Sequence, residues 1–502
     1  MTLGRAFGSI ASLTLLSRVS GFVRVAVFAA LFGGGIEADI FLAVMILPEL
    51  MYRFLTDGLV GSAAVPLFVA TPSGGDEERR AFGTLFWGLT ALALPLTGVL
   101  VLAANPLCGL MVPGFLPESH ARMAVLFRFI APYVVFSLQS GLMTAFLNAR
   151  GRFAGPAAGP FLVNLVIIAG IIATRGGPIE MLGPVVLLGI TAQVVWFFAQ
   201  IRRLIVGGFP LPARKDFDQK LWMEFLTRTA PVACWIFVTP IVPLFERFLL
   251  SHQGVGAVSV LNYTDKILYL PLGIISVSLA GALFPMLSER KGTDRAHLLA
   301  RSFVHLLVFL VPMAVMLYAG ADAVTEVIYR RGQFGAGETL LTARLLAAYA
   351  LSLIPLSVSM LFNRLFFAEG LFRLSFMIGL GTVLVQVVAD ALLVQHWGAV
   401  GVGWGQVIAS VCQLVLFLVA LNMHEGRETV KILLPSLVGI LVAVVLLTPI
   451  GTSFLPRMLT VCGEGKIATL AGLTLGWLLL QLPLLVIARL RARLNSKVTG
   501  NP

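Results

Sequence analysis

Several charged side chains stand inside hydrophobic stretches of this sequence, and their types and spacing indicate ligand chemistry. Arg18 and Arg24 lie in the apolar stretch 8–32, with Gly21 midway between them. At about 100° per residue of an α-helix, these three positions fall within about 120° of the helix surface. A charge at the centre of a span costs roughly 2.5–3.5 kcal/mol on insertion scales, so such residues usually face an aqueous cavity or a partner. The spacing predicts that both guanidinium groups reach one cavity.

A second group of charges follows in the apolar stretch 38–70. Asp39 stands near its outer end, and Arg53 and Asp57 are an i,i+4 pair that can neutralise each other on a helix. With the two arginines of the first stretch, however, the bases of this region outnumber its acids. A planar guanidinium binds two phosphate oxygens at once, so this surplus in a low-dielectric cleft predicts recognition of a diphosphate.

The second half of the chain carries paired charges in two further apolar stretches. Glu246-Arg247 falls in 222–251, and Asp265-Lys266 falls in 256–287. Acids and bases nearly balance there. The alternative interpretation of all these charges is ion pairing that only fixes helix packing; the arginine surplus of the first half argues against it.

Catalytic motifs fail on inspection, so we expect no enzyme activity. The sequence has no H-E-x-x-H zinc motif, and His297 and His305 are isolated. Gly465-Lys466 lacks both the preceding glycine and the Ser/Thr of a phosphate loop. A membrane-embedded glycosyltransferase would need clustered carboxylates for acid–base chemistry, whereas the acids of the predicted outer loops are scattered.

The composition requires a membrane environment for the elements that position these charges. Of the 502 residues, 58% are hydrophobic and 12% are charged, whereas soluble chains are about a quarter charged. A helical span needs about 20 mainly apolar residues, which predicts an all-α integral membrane protein of about fourteen spans. The predicted spans lie at roughly 8–32, 38–70, 81–104, 121–148, 154–174, 181–203, 222–251, 256–287, 297–320, 338–367, 372–394, 399–422, 429–450 and 466–489.

The distribution of charge predicts the orientation. The formal net charge is +12, but the basic residues are spread among loops instead of forming one patch, so we expect no nucleic-acid partner. Most of them fall in loops on the side of Met1, which the positive-inside rule places in the cytoplasm together with both termini. The first apolar stretch, interrupted by arginines, is interpreted as a span and not as a signal peptide.

An internal repeat predicts the domain organisation. Ala63-Ala64-Val65-Pro66 matches Ala282-Leu283-Phe284-Pro285, and the run Ala149–Phe153 matches Ala368–Phe372 at the same offset of 219 residues. Each repeat holds six spans, so the two copies run in the same direction and predict a central cleft for substrate. The predicted domains are a six-helix lobe at 1–215, a second at 216–424, and two additional helices with a cytoplasmic tail at 425–502.

Several motifs resemble the MurJ/MviN family of lipid II flippases. They are Ser17-Arg18-Val19-x-Gly21-Phe22-Val23-Arg24, Ala38-Asp39-x-Phe41, Leu47-Pro48-x-Leu50-x-x-Arg53, Tyr263-x-Asp265-Lys266 and Pro285-x-Leu287-Ser288. The resemblance implies the fold of the multidrug/oligosaccharidyl-lipid/polysaccharide exporter superfamily. It also implies transport of undecaprenyl-diphosphate-linked muropeptide, lipid II, from the cytoplasmic to the periplasmic leaflet of the bacterial inner membrane by alternating access, for cell-wall synthesis.

The resemblance also implies roles for individual residues. Those expected to contact the head group are Arg18, Arg24, Arg53 and Lys266, and those expected in gating or charge balance are Asp39, Asp57 and Asp265. Members of the family bind sodium, and the matching positions here are Glu246, Gln386, Asp390, Val402 through its carbonyl, and Gln406. The sequence departs from the family pattern at Tyr52, where a second arginine is common, at Asp57, which replaces glutamate, and at Lys266, which replaces arginine.

Partners and rival functions follow from the same residues. The expected partners are lipid II, membrane lipid and cell-wall synthesis proteins, and sodium is the expected bound ion. Export of another undecaprenyl-linked polysaccharide unit is the alternative function. Export of cationic drugs would favour an acidic cleft, which is opposite to the charge found here.

Overall fold

The structure, a computed structural model, describes residues 3–54, 60–210, 217–238, 240–425, 427–462 and 465–499. Throughout these ranges the regular elements are helices, as the sequence predicts. In the hydrocarbon region of a bilayer every backbone polar group needs an internal partner, and long apolar segments meet that need as helices.

The chain divides into two compact units, Met1–Ser259 and Val260–Pro502. The helices of the N-terminal unit are α1 Leu3–Phe32, α2 Ile36–Phe54, α3 Val60–Ala70, α4 Asp76–Leu102, α5 Ala104–Met111, α6 Pro117–Ile130, α7 Tyr133–Ala149, α8 Ala154–Ala173, α9 Leu182–Ile201, α10 Gln219–Val238 and α11 Ile241–Leu250. Helix α12, Ala257–Pro271, begins in this unit and ends in the next.

The C-terminal unit continues from α12 through a π-helical turn, Leu272–Ser276. Its further helices are α13 Val277–Glu289, α14 Gly292–Ala319, α15 Ala321–Ile328, α16 Ala336–Ala350, α17 Leu353–Ala368, α18 Phe372–Trp397, α19 Val400–Glu425, α20 Arg427–Cys462 and α21 Lys466–Thr499. Helices α20 and α21 both pack on α14.

Ten segments of the described chain are long and apolar enough to cross a membrane, or eleven when α16 and α17, bent by 45°, count as one span. Two other predicted spans run over residues that the structure does not describe. These are residues 55–59 between α2 and α3, and residue 239 between α10 and α11. A shorter apolar helix, Lys466–Leu482, lies within α21. The architecture is compatible with about fourteen spans.

The helix ends recur at the offset found in the sequence. Helix α7 ends at Ala149 and α17 at Ala368, and the glycine two residues later has a positive φ in both, +70° at Gly151 and +74° at Gly370. This left-handed conformation, which suits glycine, closes a helix in the Schellman motif. The defining bonds correspond as well: Arg152 N donates to Leu147 O, and Leu371 N to Phe366 O, both at 2.8 Å. The lobe boundaries at 215 and 424 stay a prediction.

Candidate functional site

The two arginines of α1 lie in a segment long and apolar enough to span a membrane, Ser12–Phe32. Arg18 is exposed and has no acidic partner among the described residues. The Arg24 side chain is 18% exposed, and its Nη2 lies 3.7 Å from Oε1 of Glu49 on α2. This distance allows an ion pair but is too long for a hydrogen bond. Arg24 therefore keeps hydrogen-bonding capacity for a ligand.

Helix α1 is anchored on both sides of Arg18 by Asn164 of α8, which is buried. The Asn164 amide donates to the Ser17 carbonyl at 3.2 Å and to the Ser20 hydroxyl at 3.0 Å. A Cβ at Gly21 would lie 3.4 Å from the same amide nitrogen, which is an ordinary van der Waals distance. Sequence reasoning missed Asn164, although its polar side chain within an apolar span was the available signal.

Helix α2 carries the next predicted residue. Arg53 is placed in this helix, but its side chain lies outside the described residues, as does Asp57 altogether. Glu49, one turn before Arg53, did not figure in the sequence-based balance of charges. Its contact with Arg24 means that the cationic surplus of this region is smaller than the sequence predicts.

Asp39 is fully buried at the start of α2, where it binds the N-terminus of α12. Its Oδ2 accepts the backbone N–H of Gly256 at 2.6 Å, and its Oδ1 accepts that of Ser259 at 2.7 Å. The first N–H groups of a helix have no partner within it and carry partial positive charge, so a carboxylate there is stabilising. Asp39 thus balances a helix terminus, and its predicted role in gating stays a prediction.

The backbone around Asp39 is closely packed. Gly256 has a φ of +93°, and a Cβ there would come within 2.5 Å of the Gly34 carbonyl oxygen. Five residues before Gly256, the Ser251 hydroxyl accepts the Gly114 N–H at 3.0 Å. A Cβ at Gly114 would lie 2.3 Å from the Ser251 carbonyl oxygen. Segment 251–259 is therefore held against the beginning of α2 and against the loop before α6, with no room for a side chain at Gly256 or Gly114.

An ionic network ties the beginning of α2 to two other elements. Arg122 of α6 pairs through Nη2 with Glu37 at 2.9 Å and through Nε with Glu180 at 2.6 Å. Glu180 lies in a short 3₁₀ turn, Ile179–Met181, before α9. Since all three side chains are part-exposed, we assign the network a modest contribution to stability.

The predicted residues of α12 lie in the C-terminal unit. Asp265 and Lys266 are half-buried there. In the N-terminal unit, Glu246 and Arg247 are both buried in α11, and Arg247 Nη1 donates to the Pro243 carbonyl at 2.8 Å.

Helices α18 and α19 bring together four of the residues matched to a sodium site. Asp390 is fully buried, and neither carboxylate oxygen has a hydrogen-bond partner in the described part of the chain. Gln386 lies one turn earlier and donates to the Gln406 amide oxygen at 3.0 Å, and Val402 is buried on the same helix as Gln406. The fifth matched residue, Glu246, belongs to the other unit.

The chemistry of these donors suits a hard cation. A buried carboxylate without a partner is costly unless it is protonated or a cation compensates it, and carboxylate, amide and carbonyl oxygens suit hard cations. No group of three or more His, Cys, Asp and Glu side chains forms among the described residues. Gly405 admits the Asp390 carboxylate, because a Cβ there would lie 1.8 Å from its Oδ1.

Comparison with solved structures identifies the fold. The chain resembles a lipid II flippase MurJ in an inward-closed conformation, with a TM-score of 0.78, 22% sequence identity, and coverage of 95% of this chain and 98% of that one. It also resembles an inward-facing MATE family multidrug resistance transporter of the MOP superfamily, with a TM-score of 0.65, 14% identity, and coverage of 84% and 98%. These likenesses are of fold: the chain has the same helical fold as both proteins.

The family follows from the sequence. The profile described as lipid II flippase MurJ matches residues 28–464. A probable lipid II flippase MurJ of Rhizobium meliloti is 28% identical over 447 residues, covering 85% of this chain and 82% of the relative. The lipid II flippase MurJ of Burkholderia cenocepacia is 26% identical over 439 residues, covering 83% and 84%. The chain belongs to the lipid II flippase MurJ family.

Proposed function

We propose that this chain moves lipid II from the cytoplasmic to the periplasmic leaflet of the bacterial inner membrane. The observation that supports this most is the pair of arginines in α1, exposed or part-exposed within a membrane-length helix of a MurJ family member. A charge retained in a span needs a function that repays its insertion. The anionic diphosphate of an undecaprenyl-linked precursor supplies the matching charge.

In this proposal the head group is bound by Arg18, Arg24, Arg53 and Lys266. The 3.7 Å contact between Arg24 and Glu49 keeps the arginine oriented without committing its N–H groups. One arginine guanidinium binds two phosphate oxygens at once, whereas the ammonium group of Lys266 acts as a point charge. The arginines of α1 and α2 therefore provide most of the directional binding, and the isoprenoid tail stays in lipid.

Asp39 supports a gating role in the same cycle. Opening of the chain at the end where α12 begins would require the two N–H groups now bound by Asp39 to lose their acceptor. Each charge-assisted hydrogen bond contributes about 1.5–3 kcal/mol. The arrangement in which Asp39 holds both N–H groups is therefore favoured until the bound head group offsets that difference.

A sodium ion is part of the proposal. Gln386, Asp390, Gln406 and the Val402 carbonyl would hold it, and Glu246 is the fifth residue that the family resemblance matches to the site. When bound, the ion supplies positive charge that compensates the buried Asp390 carboxylate.

The proposed topology has both termini in the cytoplasm, with cell-wall synthesis proteins as partners.

The experiment that tests the function is complementation of a bacterium depleted of its own lipid II flippase. We expect the wild-type chain to prevent lysis. The variants Arg18→Ala and Arg24→Ala, present at wild-type levels, should fail. Growth on those variants, or lysis with the wild type, would refute the proposal.

A further inference from the structure

A buried ion pair closes the turn between α3 and α4 in the N-terminal unit. Arg150, directly after α7, pairs through Nε with Glu78 in the first turn of α4. The two side chains are 14% and 3% exposed. The second carboxylate oxygen of Glu78 accepts the Gly74 N–H at 2.7 Å. Removing either partner would leave a buried charge uncompensated, which is strongly unfavourable.

The same arginine caps the end of α3. Its Nη1 donates to the Phe68 carbonyl at 2.9 Å, and its Nη2 donates to the Thr71 carbonyl at 3.2 Å. The last carbonyls of a helix lack partners within it and carry partial negative charge, so a guanidinium is favourable there. One side chain therefore joins the end of α3, the beginning of α4 and the end of α7.

An equivalent junction forms within the C-terminal unit. Arg295, in the first turn of α14, pairs through Nη1 with Glu369, which directly follows α17. Its Nε donates at 2.8 Å to the carbonyl of Arg290, the residue after α13. The Arg295 side chain is 7% exposed. This arginine joins the end of α13, the beginning of α14 and the end of α17.

The two junctions correspond in place but have opposite polarity. Arg150 and Glu369 are equivalent positions, because each follows the last alanine of its helix and precedes a glycine of positive φ. Glu78 and Arg295 both lie in the first turn of a second pair of equivalent helices, α4 and α14, which precede α7 and α17 in the chain. The two halves therefore share a guanidinium at the end of α3 or α13, whichever helix supplies it.

We propose that Glu78–Arg150 and Arg295–Glu369 are one positioning device used twice, and that either polarity serves. Helix α3 continues the predicted span that carries Asp39 and Arg53, and α13 continues the span that carries Lys266. Holding the last turn of each helix in place positions the end of the predicted span to which the head-group residues belong, within its own unit. The inference rests on the proposed function for its transport readout alone.

The test reverses the polarity of the first junction. The variants are Glu78→Arg, Arg150→Glu and the double reversal, with Glu77→Arg and Arg152→Glu as matched controls at exposed neighbouring positions. Each single reversal should lower lipid II translocation per amount of protein at least about tenfold, because it places like charges together in a buried site. The double reversal should return to within about threefold of wild type, since it restores the pair. The controls should stay within about twofold.

A second measurement separates this inference from the proposed function. Spin labels at Ser73 and Phe153, in a variant free of the four native cysteines, report the distance between the turn after α3 and the end of α7. We expect a narrow distribution in the wild-type and double-reversal backgrounds and a broad one in each single reversal. This result would stand even if the wild-type chain moved no lipid II. The proposal would be overturned if the double reversal had as broad a distance distribution and as little translocation as the single reversals. It would also be overturned if the single reversals matched the wild type in both measurements. If a single-reversal variant does not accumulate in cells, the comparison of the double reversal with the wild type in these two measurements decides the proposal.

Discussion

At the scale of single residues, Asp39 shows a carboxylate acting on a helix end. The sequence places it near the outer end of a span, where gating and charge balance are both open. Its two bonds, to Gly256 N and Ser259 N, assign its charge to the N-terminus of α12. The sequence alone could not predict this, because the partners are backbone groups 217 and 220 residues away.

Replacing Asp39 with alanine should loosen the beginning of α12. Loss of a capping carboxylate costs about 1–2 kcal/mol, roughly a tenfold change in an equilibrium. We therefore expect a cysteine placed at the buried Ala257 to react about tenfold faster with maleimide in this variant. Glu37→Gln is the matched control, because Glu37 pairs with Arg122 and leaves the cap intact. Equal labelling rates in the Asp39→Ala and wild-type backgrounds would contradict the assigned role.

Glu49 provides a second prediction at this scale. If Glu49 orients Arg24 and competes with the ligand for it, Glu49→Gln should bind undecaprenyl diphosphate about two- to fivefold more tightly than wild type, since part-exposed ion pairs are weak. Arg24→Ala should bind it about tenfold more weakly or worse, because a charge-assisted hydrogen bond is lost. Titration of the purified protein with undecaprenyl diphosphate measures both. Weakening of equal size in the two variants would show that Glu49 supports the site without competing in it.

At the scale of elements, the packing of one helix against its neighbour determines the position of the polar and charged side chains. The arginines of α1 were predictable from their spacing, whereas the rotation of α1 depends on Asn164 of α8. Likewise, Gln386 and Asp390 were predictable as neighbours on one helix face. The contact of Gln386 with Gln406 required knowledge of how α18 packs on α19. The spacing of residues along one helix can be predicted from the sequence, but which helix packs against it cannot.

Gly405 provides the prediction that belongs to this scale. Gly405→Ala should displace the Asp390 carboxylate, because the added Cβ would lie 1.8 Å from Oδ1, and overpacking of this kind costs typically about 1–3 kcal/mol. Gly381→Ala on α18 is the matched control, since its Cβ would meet only Leu416 at 3.8 Å. We expect complementation of flippase-depleted cells to fail with Gly405→Ala and to succeed with Gly381→Ala. Full growth on both would show that the carboxylate has room to move without consequence.

At the scale of the whole molecule, composition and the repeat predicted most of the architecture. The deficit of charged residues required membrane helices, and the run Ala149–Phe153 marked a helix end that recurs at Ala368–Phe372 with the same backbone bonds. The sequence could not show that contacts divide the chain after Ser259, because that boundary depends on the packing of α10 and α11 and not on the repeat. It also could not show the 45° bend between α16 and α17.

The topology is a separate prediction for the whole chain. Positive-inside asymmetry places Ser73 in the cytoplasm and Gln253 on the periplasmic side. In a cysteine-free background, Gln253→Cys should react with a membrane-impermeant maleimide in intact spheroplasts, and Ser73→Cys should react only after lysis. Both positions are exposed, so burial does not limit labelling. The opposite pattern would invert the proposed orientation.

The central claim is that the arginines of α1 carry the head group of lipid II across the membrane. The most direct measurement is the fraction of lipid II accessible to a periplasmic probe in cells whose own flippase has been depleted. We predict that the wild-type chain restores accessibility and that the Arg18→Ala/Arg24→Ala double variant, present in equal amount, leaves lipid II in the cytoplasmic leaflet. Restoration of accessibility by that double variant would contradict the account.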